Sequence, residues 1–121
     1  MADLTDAAVS AALAARGVPR HIVEGGADGL ISRWREFIAQ VGAGYALGLD
    51  DYRNDLDIRT LIELTGLGPR VVEEDARLRA LLIAERTEIW SSDAPEAWWT
   101  HGYPGNAGLA LRQDLLDEGK L

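Results

Sequence analysis

The sequence contains no cysteine among its 121 residues. This excludes disulfide bonds, thiolate metal ligands and a cysteine nucleophile together, and it is compatible with a reducing compartment. The alanine-rich stretch near the start has no basic region in front of it, which argues against a signal peptide. No apolar run approaches the ~20 residues that a membrane-spanning helix needs. We therefore expect a cytoplasmic protein with no membrane partner.

Positive charge is also scarce. The chain has 12 lysines and arginines against 20 aspartates and glutamates, which gives a formal net charge of −8, and residues 1–60 and 61–121 are each net negative. General affinity for nucleic-acid backbones is disfavoured, because it needs a concentrated basic surface. An acidic surface favours association with a basic protein, although it also has the simpler explanation of keeping the chain soluble.

Groups that perform catalysis or bind metals are few. The only histidines, His21 and His101, do not belong to a spaced metal motif. An aspartate-rich stretch begins at residue 50, but a calcium loop counted from Asp51 would have Arg53 and Leu56 where an oxygen ligand and a glycine are required. The sequence therefore predicts no metal, no cofactor and no catalytic residues, and an enzyme is disfavoured.

Helical periodicity, in contrast, is abundant, and no stretch alternates with the period of a strand. Predicted helices run from about residue 5 to 16, 28 to 45, 50 to 64, 69 to 89 and 107 to 118, with a short helix through Trp98 and Trp99 and a turn over 101–106. We expect one all-α domain over 1–121, a compact bundle or orthogonal array of about five helices, in which alanine-rich residues 1–20 are peripheral or frayed. The predicted centre of the core comprises Trp34, Phe37, Leu61, Ile62, Leu78, Leu82 and Ile89.

Two carboxylates fall on or beside the apolar stripe of the predicted fourth helix. By helical count Asp75 and Glu85 lie among Val71, Leu78 and Ile89. A desolvated carboxylate there would have a raised pKa suited to acid–base chemistry. The alternative places both at the edge of the stripe, with Asp75 reaching an arginine one turn later.

Aromatic residues concentrate near the C-terminus, where Trp98, Trp99 and Tyr103 surround His101. One interpretation is a small C-terminal core, because aromatic side chains dominate core energetics. The other is a partly exposed stacking platform or a hot spot for protein binding. A ligand or hydrolase pocket around His101 is a further hypothesis.

The segment from Leu61 to Val72 resembles the helix-hairpin-helix element of nucleic-acid-binding proteins, in which a glycine–apolar–glycine hairpin joins two helices. The resemblance covers twelve residues and implies that Gly66, Gly68 and Arg70 hold a DNA phosphate at the start of the second helix, where exposed amides attract anions. The acidic residues that follow from Glu73 depart from the pattern and would repel phosphate. Ordinary helix punctuation also explains the glycines and the proline.

The leading hypothesis is a non-enzymatic protein-interaction module, such as an inhibitor or immunity-like partner of a basic protein. Its partner-binding residues would be Asp50, Asp51 and Asp55 on the acidic side, and Trp98, Trp99 and Tyr103 among the aromatics. Acidic surfaces that meet basic ones give fast, salt-sensitive association. The alternative is a nucleic-acid-binding protein that uses the Gly66–Arg70 hairpin.

Overall fold

The computed structural model describes residues 6–92, 94 and 97–121. Over these residues the chain forms helices α1 (Asp6–Ala15), α2 (Arg20–Gly42), α3 (Leu49–Leu64), α4 (Val72–Leu81) and α5 (Leu109–Asp117), strands β1 (Leu82–Glu88) and β2 (His101–Pro104), and two 3₁₀ turns, Gly68–Val71 and Trp98–Thr100. The prediction of a compact, mainly helical single domain is confirmed.

Helix α2 is longer than the sequence indicated. It begins at Arg20, directly after Pro19, and runs through Gly26, whose backbone is non-helical with φ 59°. The helix therefore bends there, since a glycine can adopt this conformation without steric strain. Beyond the bend, Leu30, Trp34 and Phe37 are buried at helical spacing, as their periodicity predicts.

The core centres on aromatic rings from α2, α3 and the loop between these helices. Phe37 contacts Trp34, Tyr45 and Tyr52, with ring centroids 5.3 to 5.7 Å apart. Of the residues predicted to be central, Leu61 and Leu82 are only partly buried, whereas the other five are buried.

The first helix also contributes to the core. Val9 and Leu13 are fully buried, and the Ser10 hydroxyl donates a 2.8 Å hydrogen bond to the backbone carbonyl of Val23. Two apolar side chains therefore anchor α1 to the core despite its many alanines, whereas most of residues 14–20 are exposed. Residues 1–5 lie outside the described part of the chain.

The predicted long helix over residues 69–89 is wrong in its second half. Helix α4 ends at Leu81, and β1 then pairs antiparallel with β2, with Leu82 opposite Pro104 and Ile83 opposite Tyr103. Residues 101–104, predicted as part of a turn, are the partner strand. The apolar residues at 82 and 89 are compatible with both a helix and a strand. Backbone pairing with a segment about 20 residues later favours the strand.

A buried arginine joins the helices. Arg59 is 4% exposed, and its guanidinium donates to both carboxylate oxygens of Asp75, at 2.8 to 3.2 Å. The Trp34 indole donates to the same carboxylate at 3.0 Å, and the guanidinium lies 4.6 Å from the Trp99 ring centroid. These contacts link α2, α3, α4 and the second 3₁₀ turn in one polar network.

Candidate interaction groove

A groove crosses the outer face of α3. Its larger part has a volume of about 540 Å³ and lies between α3, the turn that joins α1 to α2, and residues 91–92. Apolar side chains of Val18, Ile22, Ile58 and Leu61 contribute to its lining. The second part, about 350 Å³, lies between α2 and α3 and shares Ile22, Asn54 and Ile58 with the first. The two recesses therefore form one continuous groove.

Carboxylates gather at the α2 end of the groove. Glu36 and Asp55 line the second recess, and Asp51 lies one helical turn before Asp55 on α3. Burial raises the pKa of Asp55, and the nearby charges of Asp51 and Glu36 raise it further, whereas a hydrogen bond from Tyr45 opposes the shift. The Tyr45 hydroxyl donates that bond at 2.7 Å. These carboxylates are therefore close enough to repel one another.

No described lysine or arginine forms an ion pair with Glu36, Asp51 or Asp55. Arg33 lines the same recess but does not pair with them. Because like charges in a partly buried recess are unfavourable, this end of the groove is complementary to a positive charge from outside the chain.

The other aspartates of α3 have internal partners. The exposed Asp50 carboxylate lies 3.8 Å from Arg53, which also binds Glu118 through two hydrogen bonds of 2.8 and 3.0 Å. Asp57 accepts a 2.6 Å hydrogen bond from the Trp90 indole. Asp50 and Asp51 are exposed and Asp55 is half-buried, and their role in binding a partner stays a prediction.

The C-terminal aromatics require a correction, because two of the three are core residues. Trp99 is 1% exposed and donates a 3.1 Å hydrogen bond to the Thr60 hydroxyl, and Tyr103 is 8% exposed. The second 3₁₀ turn and β2 place them against α3 and β1, where large rings bury most area. Only Trp98 remains half-exposed, beside His101.

The predicted hairpin forms, but its surroundings are acidic. Gly66 has φ 76° and ends α3, and the 3₁₀ turn Gly68–Val71 leads into α4. The amides of Gly66 and Leu67 donate to carbonyls of α3, so these two are not open to a phosphate. A Cβ at Gly68 would lie 3.2 Å from the Glu63 carboxylate, and Arg70 lies 3.4 Å from Asp28. Both carboxylates oppose an anion there.

The two carboxylates considered for acid–base chemistry have different environments. Asp75 is bound by Arg59 and Trp34 as described above, rather than by an arginine on its own helix. Glu85 is exposed on β1 and not buried on a helix. Among the described residues, no group of three or more metal-ligating side chains could hold a metal ion.

The sequence alone did not predict that these segments form a groove. Ile22, Ile58 and Ser92 contribute to its lining but come from distant parts of the chain, and no local pattern connects them. The run of aspartates on α3 was the one signal that pointed to its carboxylate end.

In comparisons with known proteins, no family model matched this chain, and no curated protein or solved structure matched it. Within the described ranges, no helix is both long enough and apolar enough to cross a membrane.

Proposed function

We propose that the chain is a protein-interaction module that receives a basic, partly apolar segment of a partner protein in the groove across α3. The observation that supports it is the continuity of a largely apolar recess with a recess whose carboxylates form no ion pair with any described lysine or arginine. An inhibitor or immunity-like antidote to a basic protein is the form of this function that suits a small acidic chain, and a cytoplasmic location belongs to the same proposal.

Charge and shape would have separate roles in this interaction. The net charge of −8 would attract a basic partner and speed the encounter, with a rate that falls as salt rises. The apolar lining from Ile22, Ile58 and Leu61 would supply burial, which sets how slowly the complex dissociates.

Asn54 offers a direct way to test the groove. It is exposed on α3 and lines both recesses, so Asn54→Trp fills the groove without replacing a core residue. Ser32→Trp is the matched control, because Ser32 is exposed on α2 and lines neither recess. Circular dichroism and urea unfolding would establish that both variants fold.

The tagged wild-type chain and both variants would be used to capture partners from nuclease-treated native lysate at low and high salt. We expect one stoichiometric basic protein that binds wild type and Ser32→Trp, leaves at high salt, and is lost with Asn54→Trp. A partner that binds all three equally would place the interaction elsewhere. Nucleic acid retained without nuclease, and lost with Arg70→Glu, would favour the hairpin alternative.

A further inference from the structure

A third recess lies away from the groove and shares no lining residue with it. It has a volume of about 320 Å³ and is lined by Arg79, Leu82, Glu85, Trp98 and His101. These residues come from the end of α4, from β1, and from the second 3₁₀ turn with β2. The volume is at the lower end of the range of small-molecule sites, ~300–1,000 Å³, which suits a ligand of few atoms.

Arg79 presents a cationic fork to this recess. Its guanidinium lies 4.2 Å from the centroid of the Trp98 ring, and it makes no ion pair or hydrogen bond with any described residue. Stacking on an aromatic face uses the flat side of a guanidinium and leaves its in-plane N–H groups available. Those groups match a carboxylate in bidentate geometry.

Glu85 presents the opposite charge in the same recess. Its side chain is exposed on β1, and within the described part of the chain its carboxylate has no ion-pair partner, Arg79 included. The recess therefore holds a cation and an anion that do not neutralise each other. That pattern is complementary to a small molecule with both charges.

His101 adds an acceptor to the same wall. The Thr100 hydroxyl has one proton, which it donates to the carbonyl of Ala97 at 2.7 Å. It must therefore accept the 3.0 Å hydrogen bond from Nδ1 of His101. In the neutral ring, Nε2 is then the atom with the lone pair, and it lies 3.8 Å from the Glu88 carboxylate. Glu85 and His101 line the recess and Glu88 does not, so Glu85 is the carboxylate that this side offers to an ammonium group.

We propose that this recess binds a free α-amino acid as a zwitterion, with its carboxylate on Arg79, its ammonium group at Glu85, and an apolar side chain against Leu82 and Trp98. The inference is independent of the proposed protein-binding groove. A peptide terminus has only one of the two charges and would satisfy only half of the site.

The test uses phenylalanine and two analogues that each lack one charge. N-acetylphenylalanine has no ammonium group, and phenylalaninamide has no carboxylate. Binding would be followed by the indole N–H resonance of Trp98 in NMR titrations of the intact chain. We expect phenylalanine to bind with a Kd of about 1 mM or tighter and each analogue to bind about tenfold more weakly. Equal affinity for phenylalanine and either analogue would overturn the proposal, as would no response at about 10 mM phenylalanine.

Variants of the recess separate the two charges. Arg79→Gln and Glu85→Gln should each weaken phenylalanine binding about tenfold, and Arg79→Lys should weaken it less, because it keeps the charge but loses the fork. Arg86→Gln is the matched control, since Arg86 is exposed on β1 and does not line the recess. Full affinity in Arg79→Lys and Glu85→Gln would overturn the assignment even if Arg79→Gln did not fold.

Discussion

Tyr45 and Asp55 form a hydrogen bond of 2.7 Å between the phenol and the carboxylate at the edge of the groove, and each group changes the ionisation of its partner. Burial raises the pKa of Tyr45, and the bond to Asp55 raises it further. Burial raises the pKa of Asp55, and the same hydrogen bond acts to lower it. The pair therefore holds a carboxylate in a half-buried position with one donor from its own chain.

Replacing this donor should destabilise the protein. We expect Tyr45→Phe to lower the free energy of unfolding by about 1 kcal/mol, because Asp55 loses its hydrogen bond, and to raise the pKa of Asp55 further. Tyr52→Phe is the matched control, since the buried Tyr52 hydroxyl has no hydrogen-bond partner among the described residues. It should leave stability unchanged or raise it. Urea unfolding and NMR titration check both effects, and equal losses in the two variants would contradict this account.

Ionisation of Glu74 should increase the free energy of unfolding, whereas ionisation of Asp55 should decrease it. Burial works to raise the pKa of Glu74, but hydrogen bonds from its own backbone N–H and from Arg35 outweigh it, so the pKa is lowered. Its stabilisation is present at neutral pH and is lost as pH falls through the folded pKa. The pKa of Asp55 is raised, so its ionised form destabilises the folded protein. This destabilisation is relieved as pH falls and the carboxylate becomes protonated.

Urea unfolding of Glu74→Gln and Asp55→Asn from about pH 7 to about pH 3 would measure these contributions. At neutral pH, Glu74→Gln should be less stable than wild type, and Asp55→Asn should be as stable or more stable. Both differences should shrink as pH falls. A difference for Glu74→Gln that grows in acid would show that the sign is wrong.

Breaking the buried ion pair between Arg59 and Asp75 should cost far more than breaking a surface pair. Asp75→Asn leaves the buried Arg59 charge with Glu63 as its one remaining carboxylate partner among the described residues, at 3.0 Å, and we expect a loss of about 3 kcal/mol. Glu24→Gln removes the i,i+4 pair with Arg20, whose side chains are 91% and 62% exposed, and should change stability by less than about 0.5 kcal/mol. Chemical denaturation would measure both variants. If Asp75→Asn and Glu24→Gln lowered the free energy of unfolding by similar amounts, the pair between Arg59 and Asp75 would not behave as a buried one.

A close backbone approach makes Gly108 irreplaceable. A Cβ at this position would lie 2.6 Å from the carbonyl oxygen of Tyr45 and 2.8 Å from that of Gly44. Gly108→Ala should therefore destabilise the protein by about 2 kcal/mol or more. Gly29→Ala, in helix α2 with nothing within 4 Å of its Cβ, should instead stabilise by about 0.5–1 kcal/mol. Thermal unfolding would compare the two, and a stable Gly108→Ala would disprove the predicted clash.

Much of the helical framework follows from the sequence alone. Trp34 and Phe37 mark the buried face of α2 by spacing. Gly66 marks the end of α3, and Pro69 lies in the 3₁₀ turn that leads into α4. Such signals act within one or two turns of backbone, so local propensity and capping are enough to read them. The acidity of α3 is equally visible in the sequence, but only the structure shows that Asp50 and Asp51 are exposed while Asp55 is half-buried.

Tertiary structure alone decided the rest. The pairing of Leu82 with Pro104 turned the end of a predicted helix into a strand. Of the two interpretations of the C-terminal aromatics, burial in the core holds for Trp99 and Tyr103. Asp75 pairs with Arg59, 16 residues away, and Ile22 and Ile58 from different helices line the same groove. These outcomes depend on contacts between segments distant in sequence, whose free energy exceeds local preferences and leaves no local pattern.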